Sequence, residues 1–90
     1  MVKEKTKNRN KKKETLNLTK ELILHNDDFN TFDFVIESLI EVCKHDILQA
    51  EQCSLIVHYK GKCSVKSGLF DELKPKYDEL ISRGLTATIE

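Results

Sequence analysis

Ninety residues are enough for one domain. Fifteen Lys/Arg balance fifteen Asp/Glu overall, yet the first 20 residues hold eight basic side chains against two Glu, and residues 21–90 hold seven basic against thirteen acidic. No apolar run approaches the roughly 20 residues needed to cross a bilayer, and no apolar segment follows the basic start as in a signal peptide. Three scattered cysteines, Cys43, Cys53 and Cys63, fit a reducing compartment better than a secreted disulfide framework, so a cytoplasmic protein is expected.

Residues 1–18 read as a disordered basic N-terminal extension. No apolar residue occurs between Val2 and Leu16, so the segment cannot bury enough surface to offset the entropy of ordering it. Residues 19–90 remain as the core domain. Thr19–His25 alternates as a strand, with Leu22 and Leu24 pointing one way, and Asn26–Phe29 follows as a polar turn.

A helix is predicted over Thr31–His45, with Asn30 as its N-cap and Asp33 reaching back. Its apolar stripe (Phe32, Val35, Ile36, Leu39, Ile40, Val42, Cys43) is wide enough to pack on more than one side. Asp46, with Gln49 three residues on, caps a second helix that Gly61 ends. Ile47, Leu48, Ala50, Cys53, Leu55, Ile56 and Val57 are its expected buried face. Cys63–Val65 reads as a short strand that can extend toward Phe70. Asp71 is the expected cap of a third helix, Glu72–Arg83, with Pro75 in its first turn, where a missing N–H costs little. Gly84 stops that helix, and Leu85–Ile89 alternates as a closing strand. The expected fold is α+β: a three-stranded antiparallel sheet with three helices, order β-α-α-β-α-β, the helices covering one face.

Two constellations carry chemistry. Asn26-Asp27-Asp28 is an ordinary turn sequence, but an amide and two adjacent carboxylates offer more acceptors than a turn consumes. His58 lies on one helical face with Ser54 and Val57, by spacings of three and four, and so over an apolar patch. Polar acceptors above an oily floor suit a primary ammonium attached to a hydrophobic side chain. No CxxC or HxxxH spacing points to a metal site, Cys53 sits on an apolar stripe as a small hydrophobe, and no glycine-rich phosphate loop is present. The basic extension lacks interleaved aromatics and the body is acidic, so neither a nucleic acid nor a membrane is an expected partner.

At these residues the chain resembles the ClpS adaptor family, bacterial N-degron recognition proteins that serve the Clp protease. The likeness spans about residues 19–90. It rests on Leu24 followed by Asn26-Asp27-Asp28, on Phe34-Val35, and on Val57-His58-Tyr59 with Gly61-Lys62. The resemblance implies an adaptor and not an enzyme, with no cofactor and no metal. Such a protein binds substrates whose first residue is Leu, Phe, Tyr or Trp and hands them to a Clp-type AAA+ unfoldase, ClpA-like or ClpC-like, with the N-terminal extension taking part in delivery. By the same resemblance Asn26, Asp28 and His58 hold the substrate's α-ammonium and Asp27 shapes the loop, while Leu24, Asn30, Phe32, Val35, Ser54, Val57 and Leu85 line the side-chain pocket. The chain departs from the family in having Phe32 and Ser54 where Met is frequent, Asn30-Thr31 where Thr-Pro is usual, and a different Ser64–Lys74 segment where the unfoldase docks. A small protein-interaction module without an N-terminal-residue pocket is the alternative reading, and a metal- or thiol-dependent hydrolase a third.

Overall fold

Leu22, Ile23 and Leu24 are buried in succession, as expected of a strand with neighbours on both sides. The computed structural model describes residues 18–90; the basic extension expected over residues 1–18 lies outside the described residues except for Leu18, which is exposed. In chain order the elements are β1 (Lys20–His25), α1 (Phe32–Cys43), α2 (Ile47–Lys60), β2 (Lys62–Gly68), α3 (Phe70–Ser82) and β3 (Thr86–Ile89). The order matches the sequence expectation. The strands form one antiparallel sheet in the order β2-β1-β3, with Leu24 opposite both Cys63 and Ala87.

Alternation along β1 turns Leu22 and Leu24 toward the helices. There they join Leu39, Val42, Ala50, Cys53, Val57, Leu73 and Leu80 in one core. The other face carries Glu21, Ile23 and His25. In β2, Leu22 pairs with Lys66 but Ile23 pairs with Ser64, so Val65 is an extra residue in the ladder. This bulge resets the alternation. Val65 turns into the core at 4% exposure. Ser64 and Ser67, three apart and so on opposite faces of a regular strand, both donate to the Glu21 carboxylate, Ser67 at 2.8 Å. These hydroxyls hold the Glu21 carboxyl below its ordinary value.

The helix ends follow the sequence except at the starts of α1 and α3 and at the end of α1, which stops at Cys43 and not at His45 because Lys44 takes the left-handed conformation. The N-cap of α1 is Thr31, whose hydroxyl accepts from the Phe34 N–H at 3.1 Å; the Asn30 side chain is engaged elsewhere. The second helix is as read: Asp46 accepts from the Gln49 N–H at 2.7 Å, and Gly61 takes the left-handed conformation at φ 94°. Its buried face is narrower than the apolar pattern suggests, however. Ala50, Cys53, Ser54 and Val57 are buried, whereas Ile47, Leu48, Leu55 and Ile56 are exposed.

The third helix begins earlier than expected, with Leu69 and not Asp71 at the cap. The Glu72 carboxylate reaches back to accept from the Leu69 N–H at 3.0 Å. Pro75 therefore lies in the second turn, where it leaves the Asp71 carbonyl without a helical donor. At the far end Gly84, at φ 86°, donates to the Ile81 carbonyl at 2.9 Å and Leu85 to the Leu80 carbonyl at 3.0 Å. This paired closure reverses the chain into β3.

Candidate functional site

The loop between β1 and α1 is built by one carboxylate. Asp27 Oδ1 accepts from the backbone N–H groups of Phe29 and Asn30 at 2.8 and 2.7 Å, and Oδ2 accepts from the Asn30 side-chain amide at 3.0 Å. This is the self-bonding that makes Asp a turn residue. Partial burial pushes the Asp27 carboxyl up, but the bonds from Asn30 and Phe29 together outweigh it and leave the carboxyl below its ordinary 3.8. Asp27 is thus ionised and its oxygens serve the loop itself.

Two straps fix the loop against the rest of the fold. The Asn26 backbone N–H donates to the Gly61 carbonyl at 2.8 Å, which sets the loop's start beside the end of α2. The Asn30 amide donates to the Gly84 carbonyl at 2.9 Å, which sets its end beside the turn into β3. Between the straps, Asn26 and Asp28 are exposed, and neither side chain bonds another described residue. His58, in the last turn of α2, is also exposed; its ring meets Tyr59 edge-on, with centroids 4.8 Å apart.

All eleven residues expected to hold an ammonium, shape its loop or line a side-chain pocket border one cleft of about 550 Å³. Asn26, Asp27, Asp28 and His58 are its polar side. Leu24 from β1, Ser54 and Val57 from α2 and Leu85 from the turn before β3 are each at most 5% exposed and form its depth. Val35 is half-buried, Asn30 bridges loop and turn, and Phe32 stands at the rim at 41% exposure. Three further residues line it that sequence reasoning missed: His25, Leu55 and Tyr59. His25 is held to the Thr88 hydroxyl at 2.8 Å. Tyr59, largely exposed and next to His58, is the one of the three with a sequence signal, a surface aromatic beside a chemically interesting residue.

Two acceptors, a neighbouring imidazole and the C-terminal end of α2 make the polar side favourable to a cation. The negative end of a helix dipole alone contributes about 0.3–1 kcal/mol at an exposed position. Burial keeps two of the three thiols protonated. Burial, with added unfavourable interaction from Cys63, pushes Cys53 up to about 12, and burial also raises Cys43. All three cysteines are free. Among the described residues no group of three His, Cys, Asp or Glu is arranged to hold a metal ion, and no helix is long and apolar enough to cross a membrane.

The cleft thus sets a cation-favouring rim above an apolar hollow on a small domain. Residues 17–88 match the family described as ATP-dependent Clp protease adaptor protein ClpS. The chain belongs to this family, whose members are adaptors and not enzymes. An ATP-dependent Clp protease adapter protein ClpS from Edwardsiella ictaluri (strain 93-146) is 46% identical over 55 residues, 59% of this chain and 52% of the relative. The protein of the same name from Vibrio atlanticus (strain LGP32) is 44% identical over the same shares. The matched part thus covers about half the length of these relatives. The structure of Agrobacterium tumefaciens ClpS2 bound to L-phenylalaninamide aligns with a TM-score of 0.69 at 23% identity, covering 80% of this chain and 94% of that one, a likeness of fold.

Proposed function

We propose that the cleft binds the first residue of a polypeptide, and that the chain is an adaptor presenting such polypeptides to a Clp AAA+ unfoldase of the ClpA or ClpC type. The observation that carries this reading is the juxtaposition of Asn26, Asp28 and His58 with the buried hollow of Leu24, Val57 and Leu85 in one cleft. An α-ammonium offers three donors, and an amide oxygen, a carboxylate and a neutral imidazole nitrogen are three acceptors. Hydrogen bonds to a charged partner contribute about 1.5–3 kcal/mol each. Burying a Leu or Phe side chain adds about 1.5–3 kcal/mol.

The apolar half alone does not overcome the freedom lost on association, about 4–15 kcal/mol, and the three polar bonds, about 4.5–9 kcal/mol together, leave little or no surplus over it. Recognition therefore demands a free amine and a bulky apolar first side chain together, Leu, Phe, Tyr or Trp. A cleft of about 550 Å³ falls within the size of typical small-ligand sites. The L-phenylalaninamide on Agrobacterium ClpS2, a free amine with an aromatic side chain, is chemistry of this kind. In this reading residues 19–90 are the recognition core, the basic residues 1–18 are a delivery arm, and the work is done in the cytoplasm.

Peptides beginning with Phe or Leu and copies acetylated at the first nitrogen provide the test. Acetylation removes the charge and two donors, so the free forms bind and acetylated forms lose at least 100-fold in affinity. Equal binding of the two forms refutes the ammonium site and leaves an interaction module without an N-terminal-residue pocket. Removing residues 1–18 leaves peptide affinity unchanged and slows degradation by the unfoldase–protease.

A further inference from the structure

Ser54 is the one polar side chain in the depth of the cleft. It is 2% exposed, and its hydroxyl has no hydrogen-bond partner among the described residues. Its neighbours there, Leu24, Val57 and Leu85, offer it nothing polar. A buried hydroxyl left without a partner is destabilising, and such groups call for an explanation in each structure.

We infer that Ser54 is a specificity determinant that selects a first residue carrying a hydroxyl at its far end, namely tyrosine, over phenylalanine. The inference rests on the reading of the cleft as an N-terminal-residue site and adds a ranking within it. Ser54 and His58 are four residues apart on α2, so one helical turn, about 6 Å along the axis, separates them. That span is roughly the reach from the α-carbon of a tyrosine to its phenol oxygen. With the ammonium held at His58, Asn26 and Asp28, the phenol reaches the depth of the cleft, and the Ser54 hydroxyl, closed off from the cleft surface, turns about its Cα–Cβ bond to meet it. Each group can donate and accept, so one bond satisfies both. Phenylalanine fills the same space and leaves Ser54 unpaired. Where a site holds a polar group for its guest, the analogue lacking the matching group is rejected because that polar group stays unsatisfied.

The experiment compares the affinities of two peptides identical after the first residue, one starting with Tyr and one with Phe, for the full chain and for Ser54→Ala. On the native chain Tyr binds about 3–10-fold more tightly than Phe, the factor corresponding to one net hydrogen bond. In Ser54→Ala the order inverts, because the phenol is then buried without a partner, while Phe binds as well as before or better. Equal or tighter binding of Phe to the native chain overturns the inference, and that measurement needs no variant to fold. A Tyr preference that survives Ser54→Ala also overturns it. If both peptides bind without this ordering, only the role of Ser54 fails. If neither binds, the N-terminal-residue reading fails and the inference falls with it.

Discussion

At the rim of the cleft the key residues are exposed or half-buried and nearly consecutive, Asn26 to Asn30, with the exposed His58 added from α2. In its depth they are buried and come from three separate parts of the chain: Leu24 on β1, Ser54 and Val57 on α2, and Leu85 before β3. The rim owes its form to hydrogen bonds, most of them to one carboxylate. The depth owes its form to packing. Changes at the rim therefore alter affinity and leave stability nearly untouched, while changes in the depth alter stability first.

The largest effect is expected from Leu24→Ala. Leu24 is 1% exposed and belongs to the core, so its truncation lowers stability by about 2–5 kcal/mol, read from the urea midpoint. Peptide affinity then declines in step with the folded fraction. Asp28→Ala tests the opposite pole. It weakens a free-amine peptide about 10–100-fold, the equivalent of one charge-assisted bond, and moves the urea midpoint by no more than about 0.5 kcal/mol. A stability loss like that of Leu24→Ala would show that rim and depth are not separable.

Asp27→Ala lies between them, because its oxygens hold the loop in shape. It costs about 1 kcal/mol of stability, as the loss of a comparable capping carboxylate does, and it also weakens peptide binding. The smallest effect is on acid unfolding. The folded Asp27 carboxyl titrates below its ordinary 3.8. Its stabilising contribution is therefore complete above that value and disappears as the pH falls through the folded value. Asp27→Asn should flatten this part of the acid limb while the limb due to Glu21, also lowered by its serine partners, persists. An acid profile unchanged by Asp27→Asn would show that the carboxylate does not hold the loop.

How much of this was legible in the sequence follows the same division. Asp46 and Gly61 bound α2 as read because both signals act within a turn of their own residue. The first helix start was misplaced because Asn30, a good cap by composition, spends its side chain on Asp27 and on the carbonyl of Gly84, which is 54 residues distant. No local pattern announces that bond. At α3 the local carboxylate was real but belonged to Glu72, which reaches back to Leu69, and the start moved with it. The bulge at Val65 was invisible because it arises from registry between strands. In the cleft, helical spacing identified Ser54, Val57 and His58 but passed over Leu55 and Tyr59, which flank them on the same helix.

Gly61 and Gly84 touch no proposed guest, yet their carbonyls are the anchor points of the recognition loop, and both lie where a helix is brought to a halt in a conformation few other residues accept. The socket's outline is consequently a by-product of how two helices stop. On the proposed reading, a side chain introduced at either glycine is expected to detune recognition from a distance by shifting the moorings.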